Sequence, residues 1–378
     1  MQITHVISGL LTGGAETMLY RLLYGISKRN FSCDVISLIA EGEMGRKIRG
    51  LGISVTTLGM KRGFPDPRGL ARIVELFNKR RPHIVQTWMY HADLLGGIAA
   101  KLAGRVPVIW GVHHTDLSPD GNKNLTILTA KICARLSTTI PSRIFCCSVA
   151  TAKAHEAIGY DANRLIVIPN GYDTEIFRPD HDARISVRAE LGLSNEMILI
   201  GLVGRVHQQK DHRNFIDAAK LLSSQYEGVH FLLCGYGTEY QKSELNSWID
   251  DAKLRDRFHL LGQRDDMPRI YAALDIGGIS SYGEAFPNVV AEAMACGVPC
   301  VVTDVGDSSI IVEDTGIVVP PKDSAALAAG WAKLVDLGQD NRIRLGAAAR
   351  QRIVENYSLA SVTGKYEEMY RTVLQIQQ

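Results

Sequence analysis

The sequence predicts an α/β protein made of two doubly wound domains in tandem, with a cleft between them. Short β-rich runs alternate with amphipathic segments of helical period along most of the chain, a pattern typical of parallel sheets covered by helices. Several runs are continuously apolar, as expected for strands that are buried on both faces. A chain of 378 residues also exceeds one ordinary hydrophobic core, which favours two domains.

The first domain, residues 1–172, takes seven predicted strands with helices between most of them. Segments such as GLARIVELFNKR and ADLLGGIAAKLAG have the apolar period of helices that cover a sheet. The strands in chain order are ITHVIS, CDVISLI, SVTTLG, HIVQTW, VPVIWGV, RIFCCS and LIVIPN. We expect a C-terminal helix over 360–378 to pack back on this domain.

The second domain, residues 173–359, repeats the alternation after a stretch without a strong apolar period, which we interpret as a linker that ends near Met197. Its predicted helices include HRNFIDAAKLLSSQ, PRIYAALD and PNVVAEAMAC. Its strands are ILIGLVG, VHFLLCG, FHLLG, IGGISS, PCVVTD and TGIVVP. Ligands of open α/β sheets bind beyond the carboxyl ends of the strands, so the loops that follow strands are the candidate sites.

Composition excludes several classes of protein. No apolar run reaches 18 residues, so no transmembrane helix is predicted, and the N-terminus lacks the basic region of a signal peptide. Seven cysteines without a CxxC pattern favour reduced thiols and a cytoplasmic protein over a disulfide framework or a zinc site. A net charge of +2 gives no reason to expect a nucleic-acid partner.

Two loops carry groups suited to a diphosphate. Gly13 and Gly14 follow the first strand and open a helix, where backbone N–H groups and the helix dipole attract an anion. A plain tight turn explains these glycines about as well, and the absence of GxGxxG argues against a dinucleotide site. Arg205 and Lys210 follow the first strand of the second domain, and a guanidinium fork with an ammonium group makes a diphosphate clamp.

Two glutamates lie in the stretch GEAFPNVVAEAMACGVP, which is otherwise nearly all apolar or small. A buried carboxylate needs hydrogen-bond donors, and sugar hydroxyls would satisfy Glu284 and Glu292. In the first domain, groups that could orient a substrate follow two strands. They are His91, Asp93, His113 and His114.

Together these residues resemble the retaining glycosyltransferases of the GT-B fold, specifically family four and its bacterial capsule, O-antigen and exopolysaccharide branch. The resemblance covers essentially the whole chain. Its marks are TGGAE (12–16), QTWMYHAD (86–93), VHHTD (112–116), IPNGYD (168–173), GRVHQQKD (204–211), LGQRDDMP (261–268) and EAFPNVVAE (284–292). It implies two Rossmann-like domains that face a cleft, and sugar transfer with retention of anomeric configuration.

The resemblance also implies the substrates. The donor would be a nucleotide-diphosphate sugar, a UDP-sugar rather than a GDP-sugar, and the acceptor a sugar or a polyprenyl-diphosphate-linked glycan. No cofactor and no metal ion are implied. The protein would be cytoplasmic, with a possible peripheral contact to an anionic membrane surface through basic helices at 61–82 and 122–143.

Residue roles follow from the resemblance. Gly13 and Gly14 would approach the distal phosphate, and Arg205 and Lys210 would neutralise the leaving diphosphate. Glu292 would bind the ribose hydroxyls and Glu284 the donor sugar. Gln263 and Arg264 would lie at the base pocket. Main-chain amides near the donor sugar would come from Phe286, Asn288 and Val289. The catalytic histidine would be His113 or His114, and His91 with Asp93 would lie on the acceptor side.

Rival interpretations remain open at this point. A nucleotide-sugar 2-epimerase shares the two-domain layout, and a non-catalytic sugar-nucleotide-binding subunit would keep the phosphate clamp. Two acidic pairs could suggest a metal site. We interpret Asp180 and Asp182 as a solvated charge run in the linker, and Asp265 and Asp266 as helix-capping residues.

Overall fold

The computed structural model describes residues 1–11, 13–61, 66–115, 124–239 and 244–375. The chain divides into two compact units, the first made of Met1–Gly171 with Leu359–Gln378 and the second of Tyr172–Ser358. These limits differ by one residue from those expected from sequence. Tyr172 groups with the second unit because its N–H donates to the Tyr357 carbonyl at 2.9 Å and its hydroxyl donates to Asn288 Oδ1 at 2.5 Å.

The first unit is a seven-stranded parallel sheet in the order β3-β2-β1-β4-β5-β6-β7, the Rossmann arrangement with one further strand. Its strands are β1 Gln2–Ile7, β2 Ser32–Ser37, β3 Ser54–Thr57, β4 Ile84–Trp88, β5 Val108–Val112, β6 Arg143–Cys146 and β7 Leu165–Val167. Its first six helices are α1 Gly14–Gly25, α2 Gly42–Gly50, α3 Pro67–Arg80, α4 Tyr90–Leu102, α5 Asn124–Leu136 and α6 Val149–Ala157.

The second unit is a six-stranded parallel sheet in the order β10-β9-β8-β11-β12-β13. Its strands are β8 Ile198–Val203, β9 Val229–Cys234, β10 Phe258–Leu260, β11 Ile276–Ile279, β12 Cys300–Thr303 and β13 Ile317–Val319. Its helices are α7 His181–Glu190, α8 His212–Ser223, α9 Glu244–Asp251, α10 Met267–Ala273, α11 Asn288–Ala295, α12 Ser308–Val312, α13 Ser324–Asp336 and α14 Gly338–Tyr357. The predicted fold class, two Rossmann-like α/β units, is confirmed, and all thirteen predicted strands are present.

The last helix, α15 Leu359–Gln375, returns to the first unit as the sequence predicted. Its buried Val362, Tyr366, Met369 and Tyr370 join the core on one face of the first sheet. The Tyr370 hydroxyl donates to Gln86 Oε1 on β4, so the end of the chain is fixed to the middle of the sheet. The described residues of the predicted helix end at Gln375, and 376–378 lie outside them.

The interpretation of the 171–196 stretch as a linker is wrong for its second half. Residues His181–Glu190 form α7, which buries Ala183 and Val187 and adds two arginines to its contact with the rest of the second unit. Arg188, whose side chain is 1% exposed, and Arg184 both form ion pairs with Asp275. Asp180 and Asp182 are exposed, as expected of a solvated charge run, but they lie at the start of α7 rather than in a linker, and the Asp180 side chain accepts from Ala183 N–H at 2.8 Å and caps the helix.

Candidate functional site

The loop after β8 carries the predicted diphosphate clamp. Arg205 is exposed and forms no ion pair with any residue that the structure describes. Lys210 ends a short 3₁₀ turn at Gln208–Lys210, and its stem lies along Gly204. Both cations act on His207, since burial, Arg205 and Lys210, in that order, lower the pKa of His207. The end of β8 therefore presents concentrated positive charge on a short loop.

Lys210 and Glu284 meet directly. The Lys210 ammonium forms an ion pair with Glu284 Oε1, and the side chains are only 19% and 13% exposed. Ser281 Oγ donates to the same carboxylate oxygen at 2.9 Å, and Ser280 Oγ donates to the Lys210 carbonyl at 2.8 Å. Two of these contacts join the loops that follow β8 and β11, and the Ser281 bond holds Glu284 within its own loop. Two predicted site residues that are 74 positions apart in sequence are brought together.

Glycines let the loops after β8, β9 and β10 approach each other closely. Gly235 has φ of 144°, and a Cβ there would overlap the Gly204 carbonyl. Its N–H donates to the Gly262 carbonyl at 2.8 Å, and Val206 N–H donates to the Tyr236 carbonyl at 2.8 Å. These backbone bonds fix the three loops side by side at the carboxyl edge of the sheet, where ligands of open α/β sheets bind.

The helix α11 begins one residue after Pro287, as the stretch GEAFPNVVAE predicted. Glu292 is half-buried and accepts from the hydroxyl of the buried Tyr271 at 3.1 Å. Burial and the Glu292 charge raise the pKa of Tyr271 well above its usual value, so this hydroxyl stays a donor. Asn288 is fixed by Tyr172, whereas Val289 is half-buried at the first turn. Phe286 is buried and stacks on Tyr172, with ring centroids 6.4 Å apart.

Arg264 is held by acids rather than left free for a base pocket. Its Nε and Nη2 donate to the two oxygens of Asp266 at 2.7 and 2.8 Å, and its Nη1 donates to Glu190 Oε1 at 2.6 Å. Asp266 lies at the N-cap of α10 but makes no side-chain capping bond, so the expectation of helix capping by Asp266 is wrong. Its carboxylate pairs with Arg264 and Arg269 instead. Gln263 is exposed beside this cluster.

In the loop after β1, Gly13 is the N-cap residue of α1, and its backbone is extended. A Cβ on Gly14 would have no neighbour within 4 Å, so the backbone there is open to a ligand. The Glu16 carboxylate lies over Gly13 and accepts from its own N–H, and burial raises its pKa. A phosphate bound at this helix end would displace that carboxylate. Thr12 of the TGGAE motif lies outside the described residues.

The two adjacent histidines after β5 have different surroundings. The His113 ring stacks on Trp88, with centroids 5.2 Å apart and planes inclined by 15°. Its Nε2 is buried without a hydrogen-bond partner among the described residues, and burial lowers the pKa of His113 to about 3. His114 is half-buried, and its charge contributes to lowering the pKa of His155. Asp116 of the VHHTD motif lies outside the described residues.

The predicted acceptor-side pair lies on α4 directly after β4. His91 is half-buried in the first turn. Asp93 is fully buried and accepts from Thr87 Oγ1 at 2.5 Å and from Gly111 N–H at 3.4 Å. Burial raises the pKa of Asp93 to about 7. This burial favours a structural role for Asp93, a bridge between β4 and β5, over direct contact with an acceptor.

Several partners of the site residues are absent from the sequence prediction. Ser281, Tyr271 and Trp88 each contact a predicted residue, yet hydroxyls and rings of these kinds carry no signal of their own in one sequence. The Glu16 carboxylate, which lies over Gly13, belongs to the TGGAE motif but has no predicted role. Over the described ranges, no group of three His, Cys, Asp or Glu side chains could hold a metal ion. In the same part of the chain, no helix has the length and apolar character of a membrane span.

The geometry thus supplies complementary chemistry in each unit. The second unit offers cations at one strand end, with carboxylates on a neighbouring loop and helix, which suits an anionic group attached to a polyol. The first unit offers an open helix N-terminus and an uncharged imidazole with an unused nitrogen.

Two family models match the chain, one in each unit. A model described as "Glycosyltransferase Family 4" matches residues 12–176, and one described as "Glycosyl transferases group 1" matches residues 198–336. A similar curated protein is the UDP-Gal:alpha-D-GlcNAc-diphosphoundecaprenol alpha-1,3-galactosyltransferase of Escherichia coli. It is 26% identical over 81% of this chain and 79% of that protein. The capsular polysaccharide biosynthesis glycosyltransferase CapM of Staphylococcus aureus is 25% identical over 82% of each chain.

Solved structures share the fold. Anabaena Alr3699/HepE in complex with UDP superposes with a TM-score of 0.86 at 23% identity, covering 98% of this chain and all of that one. WaaG, described as a glycosyltransferase involved in lipopolysaccharide biosynthesis, gives a TM-score of 0.72 at 15% identity, covering 97% and 99%. The predicted resemblance and the GT-B fold are therefore confirmed.

Proposed function

Since the chain belongs to glycosyltransferase family 4, we propose that it transfers a sugar from a nucleotide-diphosphate donor, a UDP-sugar, with retention of anomeric configuration and without a bound metal ion. That it is a glycosyltransferase follows from the family. The donor, the stereochemistry and the metal independence constitute the proposal. The two proteins of similar sequence described above are named as transferases, and neither name supports an epimerase or a non-catalytic subunit.

One observation carries the proposal: Arg205 and Lys210 concentrate positive charge beside the Glu284 carboxylate at the end of β8. Two fixed cations can stabilise the negative charge that develops on a departing diphosphate, which is the role of a divalent ion in metal-dependent transferases. Arg205 is exposed and available for a phosphate. Lys210 would exchange part of its ion pair with Glu284 for the diphosphate and leave that carboxylate to accept from sugar hydroxyls.

The choice of a UDP-sugar rests on the relatives. The Escherichia coli protein is named for UDP-Gal, and the Anabaena structure contains UDP. Glu292, held by the Tyr271 hydroxyl, keeps a second carboxylate oxygen that can accept from ribose hydroxyls. Gly14 N–H at the start of α1 would meet the distal phosphate.

Retention requires that the acceptor attack the face from which the diphosphate leaves. The departing phosphate oxygen would take the acceptor proton, so no protein nucleophile is needed. His113 is our choice for the histidine that meets the donor sugar, because its Nε2 has hydrogen-bonding capacity that no described residue uses. Its uncharged ring can accept from or donate to a hydroxyl without adding a charge beside the sugar.

The acceptor is proposed to be a sugar or a polyprenyl-diphosphate-linked glycan of a bacterial surface polysaccharide, as the names of the relatives indicate. A lipid-linked acceptor would bring the enzyme to the cytoplasmic face of a membrane. The helix α5 supports such a contact, because it exposes Leu125 and Leu128, 41% and 51% exposed, near the exposed cations Lys131 and Arg135. Co-sedimentation with anionic vesicles at low salt tests this contact, and no binding there would contradict it.

Incubation with a defined UDP-α-sugar and a short glycan acceptor in EDTA tests stereochemistry and metal independence together. We expect product in EDTA, and proton NMR should show the α configuration in the new linkage. A β linkage would contradict retention. Activity that returns only after Mg²⁺ or Mn²⁺ is added would contradict the metal-free clamp.

A further inference from the structure

The His113 imidazole lies in a group of aromatic rings built from three strands and the last helix. Trp88, at the end of β4, stacks on it, and Phe145 of β6 presents an edge at 5.4 Å between centroids and 80° between planes. Phe145 also meets the Trp88 ring edge-on at 5.2 Å. Tyr366 of α15 lies roughly parallel to Trp88 at 6.4 Å. The position of His113 is therefore set by neighbours that come from distant parts of the chain.

Trp88 is itself fixed in orientation. It is fully buried, and its Nε1–H donates to His5 Nδ1 on β1 at 3.3 Å. This bond requires His5 to accept at Nδ1, which agrees with a neutral ring, since burial lowers the pKa of His5 to about 3. One hydrogen bond and two aromatic neighbours thus hold the indole plane against which His113 rests.

The backbone around Trp88 is unusual in the same place. Met89 has φ of 73° and ψ of 154°, a backbone conformation that residues other than glycine rarely adopt. Its N–H donates to the Gly111 carbonyl at 2.8 Å, which joins the ends of β4 and β5. A Cβ at Gly111 would overlap the Phe145 ring, so the glycine allows that ring to reach His113. The strained backbone of Met89 and the glycine at position 111 thus both lie directly beside the rings that surround His113.

We propose that Trp88 is a positioning residue for sugar transfer, whose indole face holds the His113 imidazole in the plane in which it meets the donor sugar. The inference rests on the proposed function, because it assumes that His113 contacts the donor. Trp88 itself touches neither substrate nor reacting atoms in this account. Its contribution passes through the ring that stacks on it.

The stacking of His113 on Trp88 also affects whether the imidazole is charged. An indole face attracts a cation and so favours imidazolium, whereas burial disfavours it. Burial lowers the pKa of His113 to about 3. The titratable groups in the next layer are His5 from β1 and Tyr366 from α15, which contact Trp88, and Asp93 from α4, which accepts from Gly111 N–H. Removing the indole would admit water, and the pKa of His113 would move towards the ordinary histidine value of about 6.5.

Trp88→Leu tests the proposal by its pH profile. In wild type we expect no loss of kcat from His113 titration between about pH 5.5 and 8, since its pKa lies near 3. In Trp88→Leu we expect kcat to fall by about 30-fold or more and a new acidic limb near pH 6.5, with the donor KM changed less than about threefold. Trp88→Phe, which keeps an aromatic face, should restore most of the kcat.

Trp110→Leu is the matched control. Trp110 is equally buried on β5, but it belongs to the core on the other face of the sheet. This variant should lose stability without gaining an acidic limb. If Trp88→Leu and Trp110→Leu change kcat and the pH profile alike, Trp88 acts only through stability and the inference is wrong. If Trp88→Leu does not fold, Trp88→Phe and Trp88→Met replace it as the test. The inference is wrong if both of these variants keep the kcat and the pH profile of wild type, since an aromatic face is then not needed.

His113→Ala separates this inference from the proposed function. If His113→Ala keeps full transfer activity, His113 does not contact the donor, and both the proposed role and the inference fail. If His113→Ala is inactive while Trp88→Leu matches wild type in kcat and pH profile, the proposed function stands and the inference alone fails.

Discussion

Arg205 and Lys210 bear the same charge but have different surroundings. Arg205 is exposed, whereas Lys210 is already neutralised by Glu284. An ion pair with little exposure is costly to break on one side, since the remaining charge loses its partner. Diphosphate binding avoids this cost because it brings new negative charge to Lys210 as Glu284 turns to the sugar hydroxyls. The ion pair thus gives the poorly exposed Lys210 ammonium a counter-charge.

This exchange predicts opposite effects on two measurements of one variant. Glu284→Ala frees Lys210, so UDP, which has no sugar, should bind as tightly as to wild type or up to about threefold more tightly. Transfer should fall, with kcat/KM reduced by about 100-fold, because the sugar loses its acceptor of hydrogen bonds. Calorimetric titration with UDP and initial transfer rates give the two values. A parallel fall in UDP affinity and in transfer would contradict the exchange.

At the scale of single residues, the sequence indicated which charged side chains belong to the candidate site but not which ion-pair partners fix them in place. Arg205, Lys210 and Glu284 could be predicted because cations and acids at strand ends are chemically conspicuous. The Arg264–Asp266–Glu190 cluster could not, because ion pairs between loops depend on side-chain direction. Helix capping by Asp266 was expected for its position, yet two nearby arginines compete more strongly for its carboxylate.

At the scale of elements, α7 is attached to the second sheet by charge. Asp275 pairs with Arg184 at 2.7 Å and Arg188 at 3.1 Å, and it accepts from Leu199 N–H on β8 at 2.8 Å. The helix has no strong apolar stripe, which is why its sequence resembled a linker. Hydrophobic periodicity, the main signal for helices in a sequence, is weak in a helix of ten residues whose buried side chains are only Ala183, Val187 and Arg188.

Asp275→Asn should loosen this attachment. It leaves the buried Arg188 guanidinium without its counter-charge, a change that costs about 3 kcal/mol. Native-state hydrogen exchange should show amides of α7 and β8 exchanging about 100-fold faster. Asp217→Asn is the control, since Asp217 pairs with Arg213 at an exposed position and should change exchange rates little. Equal protection in Asp275→Asn and wild type would show that the ion pairs do not hold α7.

Asp93, which links β4 and β5 by its hydrogen bonds to Thr87 and Gly111, should make the stability of the protein depend on pH. Burial raises the pKa of Asp93 to about 7, whereas an unfolded aspartate titrates near 4. Between these values the folded chain binds the extra proton, so stability should fall as the pH rises from about 4 to 7. Asp93→Asn, which keeps an acceptor for Thr87, should remove this fall and melt at a higher temperature than wild type at pH 8.

Melting temperatures across the pH range provide the comparison. At about pH 3, below both pKa values, the two proteins should differ little, because Asp93 is then largely protonated in wild type in both the folded and the unfolded state. A pH-independent difference between Asp93→Asn and wild type would mean that the buried carboxyl is not protonated at neutral pH.

At the scale of the whole molecule, the alternation of strands and helices was enough to predict both sheets and the return of α15. Buried parallel strands are continuously apolar, and this pattern survives in a single sequence. The unit limits expected from the sequence lie within one residue of those observed. The rings around His113 could not be predicted, because they come from β1, β4, β6 and α15, elements that only the sheet order brings together.

Calorimetric titration of UDP in EDTA, with wild type, Arg205→Ala and Arg213→Ala, tests the central claim that fixed cations replace a metal at the diphosphate. Arg213 is an exposed arginine on α8 with an ion pair to Asp217, so Arg213→Ala controls for the loss of one positive charge. We predict that wild type and Arg213→Ala bind UDP equally in EDTA. Arg205→Ala should bind about 10- to 100-fold more weakly, the value of one charge-assisted contact. Binding that requires Mg²⁺, or equal affinity in Arg205→Ala, would contradict the account.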